Sequence, residues 1–119
     1  MSPEDSELRV RVEDTEDRAE GVFHQGTPFT GEVVEVGEDG NLLSLYTYYA
    51  GTQDGPYAEW YSPDRPFRTG TMRFGLLIGV HRQWHPNGQV ALETEFDAQS
   101  RQLYRREWDD QGNLIYEHT

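Results

Sequence analysis

In the stretch Gly79 to Gln102, GVHRQWHPNGQVALETEFDAQSRQ, apolar and polar residues alternate on both sides of Asn87 and Gly88. Alternation with period two marks β-strands, and an Asn-Gly pair between two such runs is the strongest short-range sign of a hairpin. The unit returns every 24 residues: Trp60, Trp84 and Trp108 form one series, Gly31, Gly55 and Gly79 a second, and Gly40, Gly88 and Gly112 a third. It divides the chain into units 31–54, 55–78, 79–102 and a shorter 103–119. Units recurring at fixed spacing bury their apolar sides against one another. The pattern predicts an all-β fold: an elongated antiparallel meander of β-hairpin repeats in one single-layer twisted sheet, with no helix. About ten strands at roughly 4.8 Å spacing give a sheet about 45 Å long.

Register follows from the same pattern. A two-residue loop at Asn87 and Gly88 would set Trp84 opposite Ala91, on the side of Glu93 and Glu95. A three-residue loop, Pro86 to Gly88 with a left-handed glycine, instead pairs Trp84 with Val90 and Arg82 with Leu92. One face then gathers Val80, Arg82, Trp84, Val90, Leu92, Thr94 and Phe96, and a one-residue slip would reverse every side chain. Carried along the period, this core face holds Val34, Val36, Leu42, Tyr46 and Tyr48, then Ala58, Trp60, Pro66, Met72 and Phe74, then Trp108, Leu114 and Tyr116. The equivalent turns are EDGN (38–41), SPDR (62–65) and DQGN (110–113), with Asp64 expected to take the left-handed place of the glycine.

Residues 1–30 break the period and are expected to form an irregular capping hairpin. Leu8, Val10 and Val12 alternate with arginines, Glu13 to Glu20 read as an exposed loop, and Gly21 to Gln25 return as a second strand.

Composition narrows the function more than the fold. Among the 119 residues there is no cysteine and no lysine, and all ten basic residues are arginine. That excludes thiolate zinc sites, cysteine nucleophiles, Schiff-base chemistry and a phosphate-loop lysine. The net charge is -12, and the acidity extends over the repeats as well as residues 1–20. Nucleic acid is therefore a poor partner, because affinity for phosphates needs basic side chains. A basic protein suits the charge, and acidity for solubility alone accounts for it equally well. With no apolar run long enough to span a bilayer and no leader pattern, the chain reads as cytoplasmic.

Candidate chemistry is sparse. His81 and His85 lie four apart on a strand, hence roughly 13 Å apart at about 3.3 Å per residue, too far to share a metal. Glu93, Glu95 and Asp97 line one side of a strand at about 7 Å steps and read as a solvated face rather than a cation site. Nothing marks a carboxylate pair for glycosidic chemistry. Serines lack a nucleophile-elbow context, and the glycine loops lack a following helix. No catalytic, cofactor or metal residue is assigned, and the chain does not read as an enzyme.

The stretches FTGEVVEVGEDGNL (29–42), GPYAEWYSPDRPFRTG (55–70) and GVHRQWHPNGQVALETEF (79–96) resemble the MORN-variant repeat, in particular the YwqK-like antitoxin family. The resemblance implies a protein-binding scaffold of hairpins. The chain departs from that pattern in lacking lysine, in Val36 for a tryptophan, in Asp64, and in Leu103 where a unit's leading glycine belongs. The face opposite the tryptophans is expected to bind the partner. One half of it carries Leu43, Leu45, Tyr49, Tyr57, Tyr61 and Phe67; the other carries His81, Gln83, His85, Glu93, Glu95, Asp97, Glu107 and Asp109. Tyrosine anchors beside an acidic patch suit a protein interface, and a basic toxin or nuclease is the expected partner. Packing of residues 1–30 against this face is the bland alternative. Two other functions stay open: a structural scaffold or homo-oligomer joined through edge strands, and lipid-headgroup binding, which the negative charge disfavours.

Overall fold

The computed structural model describes residues 9–119. The strands are β1 (Arg9–Arg11), β2 (Glu16–Arg18), β3 (Gly21–His24), β4 (Thr27–Pro28), β5 (Gly31–Val36), β6 (Leu42–Tyr49), β7 (Thr52–Ser62), β8 (Arg65–Arg73), β9 (Leu76–Trp84), β10 (Val90–Phe96), β11 (Gln102–Trp108) and β12 (Leu114–His118). The fold is all-β, and one 3-10 turn, Val12–Asp14, is its only helical piece among the described residues. An open nine-stranded sheet runs β1-β5-β6-β7-β8-β9-β10-β11-β12, and β2-β3-β4 form a separate small sheet. The long axis measures 47 Å, close to the length expected from strand count.

Four hairpins, β5–β6, β7–β8, β9–β10 and β11–β12, follow the 24-residue period. The loop 86–88 has three residues: the His85 amide donates to the Gln89 carbonyl at 2.8 Å, and the Gly88 amide to the His85 carbonyl at 2.9 Å. Gly88 is left-handed at φ 92, as the loop type requires. Loop 62–65 differs. Ser62 pairs directly with Arg65, and Asp64 has no positive φ; a two-residue connection lacks the third position that the expected left-handed aspartate would fill.

A bulge recurs in every unit and overturns part of the expected core. Trp84 does pair with Val90, but the next pair is Gln83 with Leu92, so Val90 and Ala91 together oppose one tryptophan. The same step occurs at Val36 against Leu42 and Leu43, at Trp60 against Pro66 and Phe67, and at Trp108 against Leu114 and Ile115. An extra residue on one strand reverses its later side chains. Arg82 therefore faces Glu93 rather than Leu92. Tyr46, Leu92, Thr94 and Phe96 move to the side opposite the tryptophans, while Leu45, Glu93 and Glu95 join the tryptophan side. Phe74, Leu114 and Tyr116, expected in the core, are exposed instead.

The N-terminal region is not a single hairpin. Strand β1 joins the large sheet parallel to β5, through Val10 against Val33, while β3 pairs with β2 and β4. Leu8 lies outside the described residues. Val22, Phe29 and Val33 form a buried cluster on which Val10 and Tyr48 pack. Val33 points away from the tryptophans, so this cap covers the β1–β5–β6 end of that face. Two backbone bonds fasten it to the Ala50–Gly51 turn, Val22 N to Gly51 O at 2.9 Å and Gly51 N to Phe29 O at 2.8 Å, and a third, Phe29 N to Val22 O at 3.0 Å, closes the cap on itself.

Candidate binding face

Opposite the tryptophans, one cross-strand row crosses the whole repeat array. Register joins Val33 to Tyr46, Tyr46 to Tyr57 and Tyr57 to Gly70, then His81 to Thr94, Thr94 to Arg105 and Arg105 to His118. Gly70 bridges the two halves. A Cβ there would overlap His81 Nδ1 and lie 2.7 Å from Tyr57 Cε2, so the rings occupy the space of its missing side chain. Tyr46 stacks on Tyr57 with centroids 5.3 Å apart, and the His81 ring lies 5.5 Å from both Tyr57 and Phe96.

His81 was expected on the exposed binding surface; it is only 8% exposed. Its Nε2 lies 3.1 Å from the carbonyls of Thr71 and Ile78, and its Nδ1 2.7 Å from the Tyr57 hydroxyl. Carbonyls only accept, so Nε2 carries the proton and Nδ1 accepts from Tyr57. Burial pushes the His81 pKa down and the Tyr57 pKa up. Both residues are neutral groups bonded within the fold.

The expected acidic patch is dispersed. Glu93 and Glu95 lie on the tryptophan side, and Glu93 accepts from Arg82 Nε at 2.7 Å and from the Tyr104 hydroxyl at 2.9 Å. The Arg82 hydrogen bond holds its carboxyl below the usual range. Asp97 and Asp109 close turns. Asp97 accepts from the Gln99 and Arg101 amides at 2.9 Å, and Asp109 from the Gln111 and Asn113 amides at 3.0 and 2.9 Å. Backbone bonds, from Arg101 and Asn113 respectively, lower both pKa values. Glu107 stays opposite the tryptophans, bound to Arg105 Nε at 2.9 Å.

The aromatic half fares better. Tyr49 is 59% and Tyr61 39% exposed, and Tyr61 packs on Phe67 with centroids 5.0 Å apart. The Tyr61 hydroxyl donates to the Trp84 carbonyl at 2.8 Å. One period later, His85 Nε2 donates to the Trp108 carbonyl, also at 2.8 Å. These equivalent side chains staple the second unit to the third and the third to the fourth, so His85 has a structural duty on this face.

Between the aromatic pair and the last hairpin lies an open groove of about 280 Å³. Leu92, Thr94 and Phe96 line it beside Tyr57 and His81, and Arg68, Gln83 and Arg105 stand around them. Sequence reasoning missed Arg68 because the bulge after Pro66 turns it to this face while leaving the strand's alternation intact; it passed over Arg105, which alternation from Trp108 already places there, because the face was searched for aromatics and acids. The available signal was Arg82, stranded in an apolar core by the expected register. Among the described residues, no group of three or more His, Asp or Glu side chains could hold a metal. No helix of the described residues is long and apolar enough to cross a membrane.

Compared with protein-family models, curated proteins and solved structures, the chain matches none of them.

Proposed function

We propose that this chain is a non-enzymatic protein-binding repeat module whose partner docks opposite the tryptophans. The observation that carries this reading is the groove together with the Tyr61–Phe67 pair, which adjoins it through Arg68, whose guanidinium lies 4.6 Å over the Phe67 ring. Aromatic anchors beside a preformed depression are the usual centre of a protein interface. The resemblance to the MORN-variant, YwqK-like family supports an antitoxin or immunity-type role, and the net charge of -12 favours capture of a basic toxin or nuclease by long-range steering. The test is affinity capture from the native cell extract with the intact chain, a Tyr61→Asp variant and a Trp60→Phe variant. One protein is expected with the intact chain and Trp60→Phe and is lost with Tyr61→Asp. Equal capture by all three would move the interface elsewhere.

A second reading is a scaffold joined through sheet edges. Among the described residues no strand pairs with the outer side of β12, and Leu114, Ile115 and Tyr116 on it are 50%, 63% and 46% exposed. Such an edge favours self-association, which sedimentation over a concentration series would reveal.

A further inference from the structure

Arg68 and Arg105 stand at the groove in an unusual bonding state. Arg105 is held through Nε alone, by Glu107 at 2.9 Å. Arg68 Nε lies 3.4 Å from Glu59 Oε1, yet it is buried without a hydrogen bond. The Tyr46 hydroxyl donates to the other oxygen of that carboxylate, Glu59 Oε2. Among the described residues, the terminal nitrogens of both guanidiniums take part in no hydrogen bond. Each is about two-fifths exposed, at 42% and 40%. Two forks of planar donors therefore line a groove that also includes Leu92 and Phe96, the Arg68 guanidinium lying 4.6 Å over the Phe67 ring, in a chain whose acids outnumber its bases 22 to 10.

We infer that the groove takes a carboxylate from the docking surface of a partner protein, an Asp or Glu side chain flanked by an apolar residue. The carboxylate would accept from the terminal nitrogens of Arg68 and Arg105, and its apolar neighbour would rest on Leu92 and Phe96. Planar guanidinium donors match a carboxylate bidentately, and the terminal nitrogens of both forks have no protein acceptor among the described residues. The nearby charges, Arg68 and Arg105 against Glu59 and Glu107, cancel, so the groove lacks the negative excess found elsewhere on the chain. A partner attracted by its overall positive charge would thus be checked by one acidic anchor, which separates it from other cationic surfaces.

This inference rests on the protein-binding reading, and its test is chosen to fail separately. The full chain is titrated, with amide and arginine Nε–Hε resonances followed by NMR, against the acetylated and amidated tripeptide Leu-Glu-Phe, its Leu-Gln-Phe counterpart, and inorganic phosphate. The glutamyl peptide is expected to shift Gln83, Thr94 and the Nε–Hε signals of Arg68 and Arg105, binding about tenfold or more tightly than the glutaminyl peptide. Arg68→Gln and Arg105→Gln should each remove that preference. Arg105→Lys, which keeps the charge and not the fork, should weaken it, and Arg106→Gln, on the tryptophan side, should leave it intact. Equal binding of both peptides, no shift with either, phosphate binding as tightly as the glutamyl peptide, or an Arg106→Gln effect as large as that of Arg105→Gln would overturn the inference. Capture of a partner with no carboxylate preference sinks the groove assignment alone. A selective groove with no captured protein sinks the module reading and leaves a free carboxylic acid as the occupant.

Discussion

The cap and the middle of the array bury different kinds of residue. Around the cap the best-hidden side chains are Val22, Phe29, Val33 and Val34, at 9%, 6%, 7% and 4% exposure; in the third unit they are His81 and Thr94, at 8% and 4%. The cap adds a second layer over one end of the sheet, so apolar area leaves water on both sides of the contact. Farther along, among the described residues, no second layer covers the sheet. The sheet there is specified by register, aromatic stacking and hydrogen-bonded polar side chains such as His81. An apolar contact tolerates small displacements, whereas a hydrogen-bonded imidazole does not. The cap thus supplies driving force, and the array supplies geometric definition on which a binding face can be built.

The largest test of this contrast is Phe29→Ala. Removing the central cap ring is expected to lower stability by about 3–5 kcal/mol, and hydrogen exchange should show β3 and β5 losing protection before β9 and β10. Uniform loss would mean that cap and array unfold as one unit. Next comes Gly70→Ala, where the added methyl meets pinned rings. We expect a loss of about 1–3 kcal/mol from overpacking, with altered ring shifts at His81 and Tyr57; an unchanged melting temperature would mean that the row closes less tightly than described.

A smaller effect comes from pH. Folding depresses the His81 pKa below its ordinary 6.5, so the neutral ring stabilises the fold above that value. As pH falls below about 6.5, the unfolded chain takes up a proton that the folded chain refuses, and stability declines. Melting temperature should therefore drop between about pH 7 and about pH 5 in the intact protein. His81→Gln should flatten that drop, and an unchanged slope would contradict the neutral assignment. The smallest expected change is Asp109→Ala, which removes the acceptor for two turn amides. Faster exchange at Gln111 and Asn113, with little change in melting, is the expected outcome, whereas slow exchange would show the turn closing without the carboxylate.

What could be read from sequence divides along a physical line. Hairpins, the three-residue loop at Pro86–Gly88 and the Trp84–Val90 pairing all follow from local chemistry, and the structure has them. The bulge beyond that pair does not, because Val90 to Phe96 alternate equally well with or without an extra residue opposite Trp84. Every assignment beyond it, from Leu92 to Phe96 and their equivalents, therefore landed on the wrong side. Asp97 and Asp109 were read by charge, although aspartate beside a turn is as often an acceptor for backbone amides. The cap escaped for another reason: β1 pairs in parallel with a strand 23 residues on, Arg9 against Glu32, and parallel pairing leaves no hairpin mark in the chain.

Because the bulge sits at the same place in each unit, 24 residues form a closed module of orientation as well as of length. Tandem duplication or excision of one whole module would return every later side chain to its own side, while deleting Ala91 alone would send Glu93 and Glu95 inward and carry Thr94 away from His81. Such a chain can lengthen or shorten in evolution by copying, and scarcely at all by single-residue insertion.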